Sequence, residues 1–158
     1  MSISLNRLIA LLPIAFAVHN AEEVLSVTLF DYPAPSIISV TSTQFAVAAG
    51  LFSVVGFSVV YAKRFYKSRE QYINCITGFA GLIFLNALFH LFSVVYFQKY
   101  LPGFITALTI NIPLSLVALR KVQRTEAKTR KDMLTAIFIG GSIGLILAAA
   151  FLGLAKLY

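Results

Sequence analysis

Two carboxylates and a histidine lie within five residues of each other in a long apolar segment near the start of the chain. His19, Glu22 and Glu23 stand between Leu8 and Phe30, in a stretch that is otherwise mostly apolar. In an α-helix, His19 is one turn away from both glutamates, so the three side chains share one broad face. An ionisable group near the middle of a membrane helix costs about 2.5–3.5 kcal/mol on insertion scales, and such groups mark functional sites. We therefore expect this face to look into the protein interior rather than into lipid.

A second histidine lies in another apolar segment, where Asn86 and His90 are four residues apart and share a helix face. Two imidazoles and one carboxylate are a common ligand set for catalytic zinc, which keeps a fourth position for water. These residues predict that His19, Glu23 and His90 bind one divalent transition metal, with zinc favoured over iron. A di-iron carboxylate centre fits less well, because such helical bundles use four glutamates and two histidines.

Three further polar residues are candidates for catalytic roles. Glu22 would be a fourth ligand or the general base that takes a proton from the bound water. Asn86 would orient His90 or the substrate. Asn111 would donate a hydrogen bond to a developing oxyanion. Taken separately, the two asparagines are also explained as interhelical hydrogen-bond partners.

The depths of these residues agree when they are counted from the predicted outer ends of their helices. At 1.5 Å per residue, Glu23, His90 and Asn111 all lie about 10 Å below the outer boundary. His19 and Asn86 lie one helical turn deeper. We therefore predict one polar pocket in the outer half of the bilayer.

The composition is that of an integral membrane protein. Of the 158 residues, 59% are hydrophobic and only 12% are charged, whereas soluble domains carry about 25% charged residues. We predict an all-α, polytopic helical bundle that forms one transmembrane domain over residues 1–158. Its five transmembrane helices cover about residues 8–30, 44–61, 73–97, 104–119 and 133–154.

The basic residues predict the orientation of the chain. Apart from Arg7, Lys99 and Lys156, the Lys and Arg residues fall into two clusters, at 63–69 and 120–131. Lys and Arg concentrate in cytoplasmic loops, so we predict the N-terminus inside and the C-terminus outside. The net charge of +7 is thus explained by topology, and we expect no nucleic-acid partner.

Small residues recur at four-residue spacing in the last apolar segment. Gly140, Gly144 and Ala148 form a stripe that allows another helix to approach closely. The stripe predicts a close helix–helix contact and a surface through which an oligomer could form.

The segment from His19 to Glu23 resembles the signature of the HXXEE family of small bacterial integral membrane proteins. The stretches 86–90 and 100–106 also resemble the pattern of that family. The resemblance points to His19, Glu22, Glu23 and His90 as site residues and implies a bacterial cytoplasmic membrane. It implies no activity, because the function of the family is largely unknown.

From these residues we predict a metal-dependent membrane enzyme, a hydrolase that acts on a lipid or another amphiphilic molecule. The first alternative is metal-free acid–base catalysis, in which neighbouring carboxyl groups act as acid and base. The five-span sterol isomerases of the emopamil-binding class are similar in architecture and chemistry. The second alternative is a proton or ion transporter. A haem held by His19 and His90 would leave the glutamate pair unexplained.

Overall fold

The computed structural model describes residues 3–29 and 39–157, and every long element within these ranges is a helix. A short 3₁₀ turn at Lys63–Phe65 joins the second helix to the third. The predicted turn at 31–36 and the predicted end of the first span at Phe30 lie outside the described residues. The five long helices are α1 (Leu5–Leu29), α2 (Ser42–Tyr61), α3 (Arg69–Phe97), α4 (Phe104–Thr125) and α5 (Arg130–Ala155).

All five helices are long and apolar enough to cross a membrane. This confirms the predicted all-α architecture with five membrane helices. The predicted ends at Tyr61 and Phe97 and the predicted start at Phe104 coincide with the observed ones. Apolar runs were sufficient to place these three boundaries, together with the Pro102-Gly103 pair, which predicts a tight turn between the third and fourth spans.

Two helix ends were predicted too close to the apolar core. Helix α3 begins at Arg69 rather than at Ile73, with Ser68 accepting the N–H of Gln71 as its N-cap. Helix α4 continues to Thr125, six residues past its predicted end. Lys and Arg are good helix formers and extend their charged ends to water, whereas hydropathy reports only the apolar part. Three residues predicted in a basic loop therefore lie on α4, namely Arg120, Lys121 and Arg124.

The helices form a ring in the order α1, α2, α5, α3 and α4, and α4 returns to α1. The buried core within this ring includes Leu12, Phe16, Ile76 and Ile83. Phe16 meets the rings of Phe52 and Phe79 edge to face, at centroid distances of 5.1 and 5.6 Å. Because Phe16 lies three residues before His19, this aromatic contact fixes α1 about one turn below the candidate site.

Helix α4 contains a π-helical turn at Ala107–Asn111, in which the N–H of Ile112 donates to the carbonyl of Ala107. The sequence predicts a bend or interruption near Pro113, and this turn confirms it. Proline has no N–H to donate to the carbonyl four residues earlier, which favours an irregular turn before Pro113, although Pro13 is accommodated within the continuous helix α1. The wider turn carries Asn111, which is fully buried.

The small residues of α5 are used within the chain. A Cβ atom added to Gly140 would lie 2.1 Å from the backbone oxygen of Gly78 on α3. A Cβ added to Gly144 would lie 2.1 Å from Cδ1 of Leu82. The predicted close helix contact is thus the α3–α5 interface. Oligomerisation stays a prediction, but these two glycines already face a helix of the same chain.

We expect Gly140→Ala to lower the thermal unfolding temperature of the detergent-solubilised protein. The added methyl group would push α3 and α5 apart, and overpacking of this kind costs about 1–3 kcal/mol. Gly153→Ala on the same helix is the matched control, because a Cβ there meets nothing within 4 Å. Equal unfolding temperatures for the two variants would show that the helices are not in close contact at Gly140.

Candidate metal centre

Three ionisable side chains from α1 and α3 meet in the interior of the bundle. The Nε2 atom of His90 lies 3.1 Å from Oε1 of Glu23, and Nε2 of His19 lies 3.8 Å from the same oxygen. His19 is fully buried, and His90 and Glu23 are at least nine-tenths buried. The predicted candidate ligands are therefore neighbours in space, although α1 and α3 are far apart in the sequence.

The spacing of the three groups suits a small divalent cation. One ligand atom of each residue lies within 4.8 Å of the other two. Zinc binds nitrogen and oxygen at about 2.0–2.1 Å in a tetrahedron, which places ligand atoms about 3.3 Å apart. The distance from Oε1 of Glu23 to Nε2 of His90 is 3.1 Å, slightly shorter than this value, and the distance to Nε2 of His19 is 3.8 Å, slightly longer.

Thr106 determines which nitrogen of His19 faces this cluster. Its hydroxyl donates to Oε2 of Glu22 at 2.5 Å, and it lies 2.9 Å from Nδ1 of His19. A carboxylate can only accept, so the single hydroxyl hydrogen is used toward Glu22, and Nδ1 of His19 must donate to the threonine oxygen. Neutral His19 then carries a lone pair on Nε2, which forms no hydrogen bond of normal geometry, while the side chain of Asn86 lies close enough to interact with the ring.

The carboxylate of Glu22 caps the start of α4. It accepts the backbone N–H groups of Ile105 at 3.1 Å and Thr106 at 2.7 Å, the Thr106 hydroxyl, and the Tyr100 hydroxyl at 2.8 Å. Helix N-termini leave N–H groups unpaired and favour negative charge. Glu22 is therefore oriented toward α4, and not toward the ligand atoms of the cluster.

Gly103 covers the cluster. Its φ of +86° is in the left-handed region, where glycine is favoured. A Cβ atom at this position would lie 2.8 Å from Cε1 of His19, 2.8 Å from Cγ of Glu23 and 3.0 Å from Cε1 of His90. The turn before α4 is thus buried against the site. Sequence reasoning identified this Pro-Gly turn, but missed that it contacts all three candidate ligands.

The buried turn also changes the predicted depth of Asn111. The sequence-based count placed Phe104 at the outer boundary, but α4 already begins beside the cluster. Since Thr106 contacts His19, Asn111 lies five residues further along α4, about 7 Å deeper. Asn111 is therefore below the cluster rather than level with Glu23.

The buried polar side-chain atoms that lack hydrogen-bond partners belong to three of the residues that the sequence predicts for the site. Among the buried side chains of residues 3–29 and 39–157, these atoms are Nε2 of His19, Oδ1 of Asn86, and Oδ1 and Nδ2 of Asn111. An unpaired buried polar group costs about 1–3 kcal/mol and requires an explanation such as a bound ion or water. The three residues are thus the ones best placed to bind a further group.

Asn20, in the middle of the same motif, has a separate role. Its side-chain N–H groups donate to the hydroxyl of Ser53 at 2.9 Å and to the carbonyl of Ala49 at 3.3 Å. It joins α1 to α2 and points away from the cluster.

A haem between the two histidines has no room, because the rings of His19 and His90 are in edge contact with centroids 4.8 Å apart.

Comparison with known proteins agrees with the signature at His19, Glu22 and Glu23. Residues 10–118 match the family described as protein of unknown function with HXXEE motif. The chain is also 24% identical over 137 residues to the uncharacterized protein YrkK of Bacillus subtilis (strain 168), a match that covers 85% of each chain. No solved structure matches the chain. The chain therefore belongs to the family of proteins of unknown function with the HXXEE motif.

Proposed function

We propose that this protein is an intramembrane metal-dependent enzyme, a hydrolase that acts on a lipid or another amphiphile. His19, Glu23 and His90 would bind one divalent cation, most favourably zinc, with a further position for water. The unpartnered Nε2 of His19, fully buried beside two other metal-binding groups, is the observation that carries the proposal. A cation there would give Nε2 a partner and would compensate the buried charge of Glu23.

The surrounding side chains support hydrolytic chemistry. A bound zinc ion would lower the pKa of its water to about 7 and so supply a nucleophile near neutral pH. Asn111 has an unpaired side-chain amide group, but it lies about 7 Å deeper than Thr106, so it would bind a part of the substrate that extends below the cluster. Asn86 has an unpaired oxygen that can accept a hydrogen bond from the water or from the substrate. In this proposal Glu22 is a positioning residue that acts on His19 through Thr106.

The environment of the centre suggests the class of substrate. The ligands lie on helices that are long and apolar enough to cross a membrane, so the proposed substrate is one that dissolves in the bilayer. We also propose that the N-terminus is inside and the C-terminus outside the bacterial cytoplasmic membrane. This follows from the basic residues at 63–69 and 120–131, and it places the site in the outer half of the bilayer.

One distance favours the metal-free alternative. The 3.1 Å between Nε2 of His90 and Oε1 of Glu23 is a hydrogen-bonding distance. The pair could therefore move a proton to and from an isoprenoid-like or sterol-like substrate without a metal. Metal content separates the two proposals.

We expect elemental analysis of detergent-purified protein to find about one transition metal per chain. His19→Ala and His90→Ala should remove it, because each takes away one of three ligands. Asn20→Ala is the matched control: it alters a buried polar residue next to His19 that bonds to α2 instead. It should keep the metal. A wild-type protein that contains no metal, and binds no added zinc, would favour acid–base catalysis.

We expect Thr106→Val to weaken zinc binding about 10–100-fold, the usual effect of removing a group that orients a metal ligand. Valine keeps the shape but cannot hold Nδ1 of His19 or donate to Glu22. Thr109→Val is the control, because its hydroxyl bonds only the carbonyl of Ile105 on the same helix. Competition with a chelator measures both affinities. Equal affinities would mean that Thr106 does not orient His19.

We expect Glu23→Gln to abolish hydrolysis in a screen of ester, amide and phosphoester lipids. The amide keeps the size of the side chain but removes the charge that holds the cation. The protein should remain folded, since Glu23 bonds only to the two histidines among the described residues. Full activity of Glu23→Gln, or of His19→Ala and His90→Ala, would contradict the assignment of the site.

A further inference from the structure

A cavity lies between α2, α3 and α5, on the other side of the bundle from α4. Its volume is about 820 Å³, which is in the range of ligand-binding pockets. We call it the interhelical groove. Ile139 and Ile143 on its rim are more than half exposed, so the groove opens sideways toward the surface that would face lipid. Its apolar walls include Val55, Val59, Leu82, Ile143 and Leu147.

The groove is polar at one end only. Ser68, Gln71, Lys128 and Lys131 line the end that lies next to the basic residues of the chain. Along α5 the lining runs from Lys131 to Leu147, which is about 24 Å at 1.5 Å per residue. The hydrocarbon core of a bilayer is about 30 Å thick. The groove therefore extends from the membrane surface through more than one leaflet's depth.

The polar end is lined by two lysines and two acids, and Lys131, which lies next to Asp132, is the lysine without a close ion pair among the described residues. Glu70 pairs with Lys128 at 3.5 Å, and Asp132 accepts the backbone N–H and hydroxyl of Thr129 as part of its helix cap. Lys131 forms no salt bridge in the described part of the chain. Burial raises the pKa of Tyr66 to about 12, so its phenol stays neutral and adds no negative charge.

We propose that the interhelical groove binds one anionic phospholipid, with an acyl chain between the helices and the phosphate at Lys131. The long apolar wall fits a hydrocarbon chain, and an available ammonium group at the membrane surface fits a phosphate. A second copy of this chain fits less well, because its matching end would bring like charges together. The proposal is independent of the metal centre, which uses other faces of the bundle.

Lipid binding can be measured by native mass spectrometry of the full chain in detergent with added phosphatidylglycerol. We expect one lipid per chain to remain bound at collision energies that remove further lipids. Val55→Phe should fill the groove and reduce the retained lipid at least 10-fold. Val54→Phe is the matched control, because Val54 is 62% exposed and does not line the groove. Equal retention in these two variants would overturn the proposal.

Two further variants keep the test decisive if Val55→Phe does not fold. Ile143→Trp enlarges a residue at the open rim, where it should block the groove without straining the core. Ile146→Trp, on the exposed side of α5, is its control.

The phosphate contact has its own test. We expect Lys131→Gln to weaken lipid retention about 5–10-fold, and Arg130→Gln to leave it unchanged, since Arg130 lies outside the groove. Retention that depends on neither Lys131 nor Ile143 would show only unspecific lipid binding.

Discussion

The carboxylate of Glu22 at the start of α4 is the interaction on which the candidate site depends. Gly103 precedes α4 and has no side chain to cap it, so the helix takes its cap from α1. Hydrogen bonds to a charged group contribute about 1.5–3 kcal/mol each. The same carboxylate accepts the hydroxyl hydrogen bond of Thr106. The threonine oxygen is then left to accept the Nδ1–H of His19, and this hydrogen bond orients the imidazole ring. One side chain thus joins two helices and sets the chemical state of a third group.

The second constraint is the absence of space above the cluster. Gly103 contacts all three candidate ligands and has a backbone conformation that side chains rarely adopt. A larger residue would have to displace His19 or His90. The adjacent glutamates of the motif therefore do different work. The carboxylate of Glu22 accepts backbone N–H groups just after this turn and so holds the turn in place. Glu23 instead lies beneath the turn, next to the two histidines.

The sequence was sufficient to predict five helices and the pair of His19 and Glu23, because apolar runs and one-turn spacing are local properties, and His90 could be added because its depth on α3 matches that of Glu23. It was not sufficient to assign the role of Glu22. That role depends on contacts with the start of α4, which is buried and lies 83–84 residues further along the chain. Thr106 was missed for a related reason. A threonine in an apolar helix is common, and only its position between a histidine and a carboxylate distinguishes it. The position of Asn111 was misjudged because the turn before α4 enters the bundle instead of staying at its surface.

The π-helical turn of α4 has a further consequence for the bundle. Such a turn contains one residue more than an α-helical turn, so the helix segments before and after it can be rotated independently to suit their own neighbours. The hydrogen bonds to Glu22 fix the rotation of the first segment, and this rotation places Thr106 next to His19. The second is set by the core, where Ala118 and Val122 are buried. The extra residue lets one continuous helix satisfy both alignments, with Asn111 at the junction between the π-helical turn and the α-helical segment that follows it.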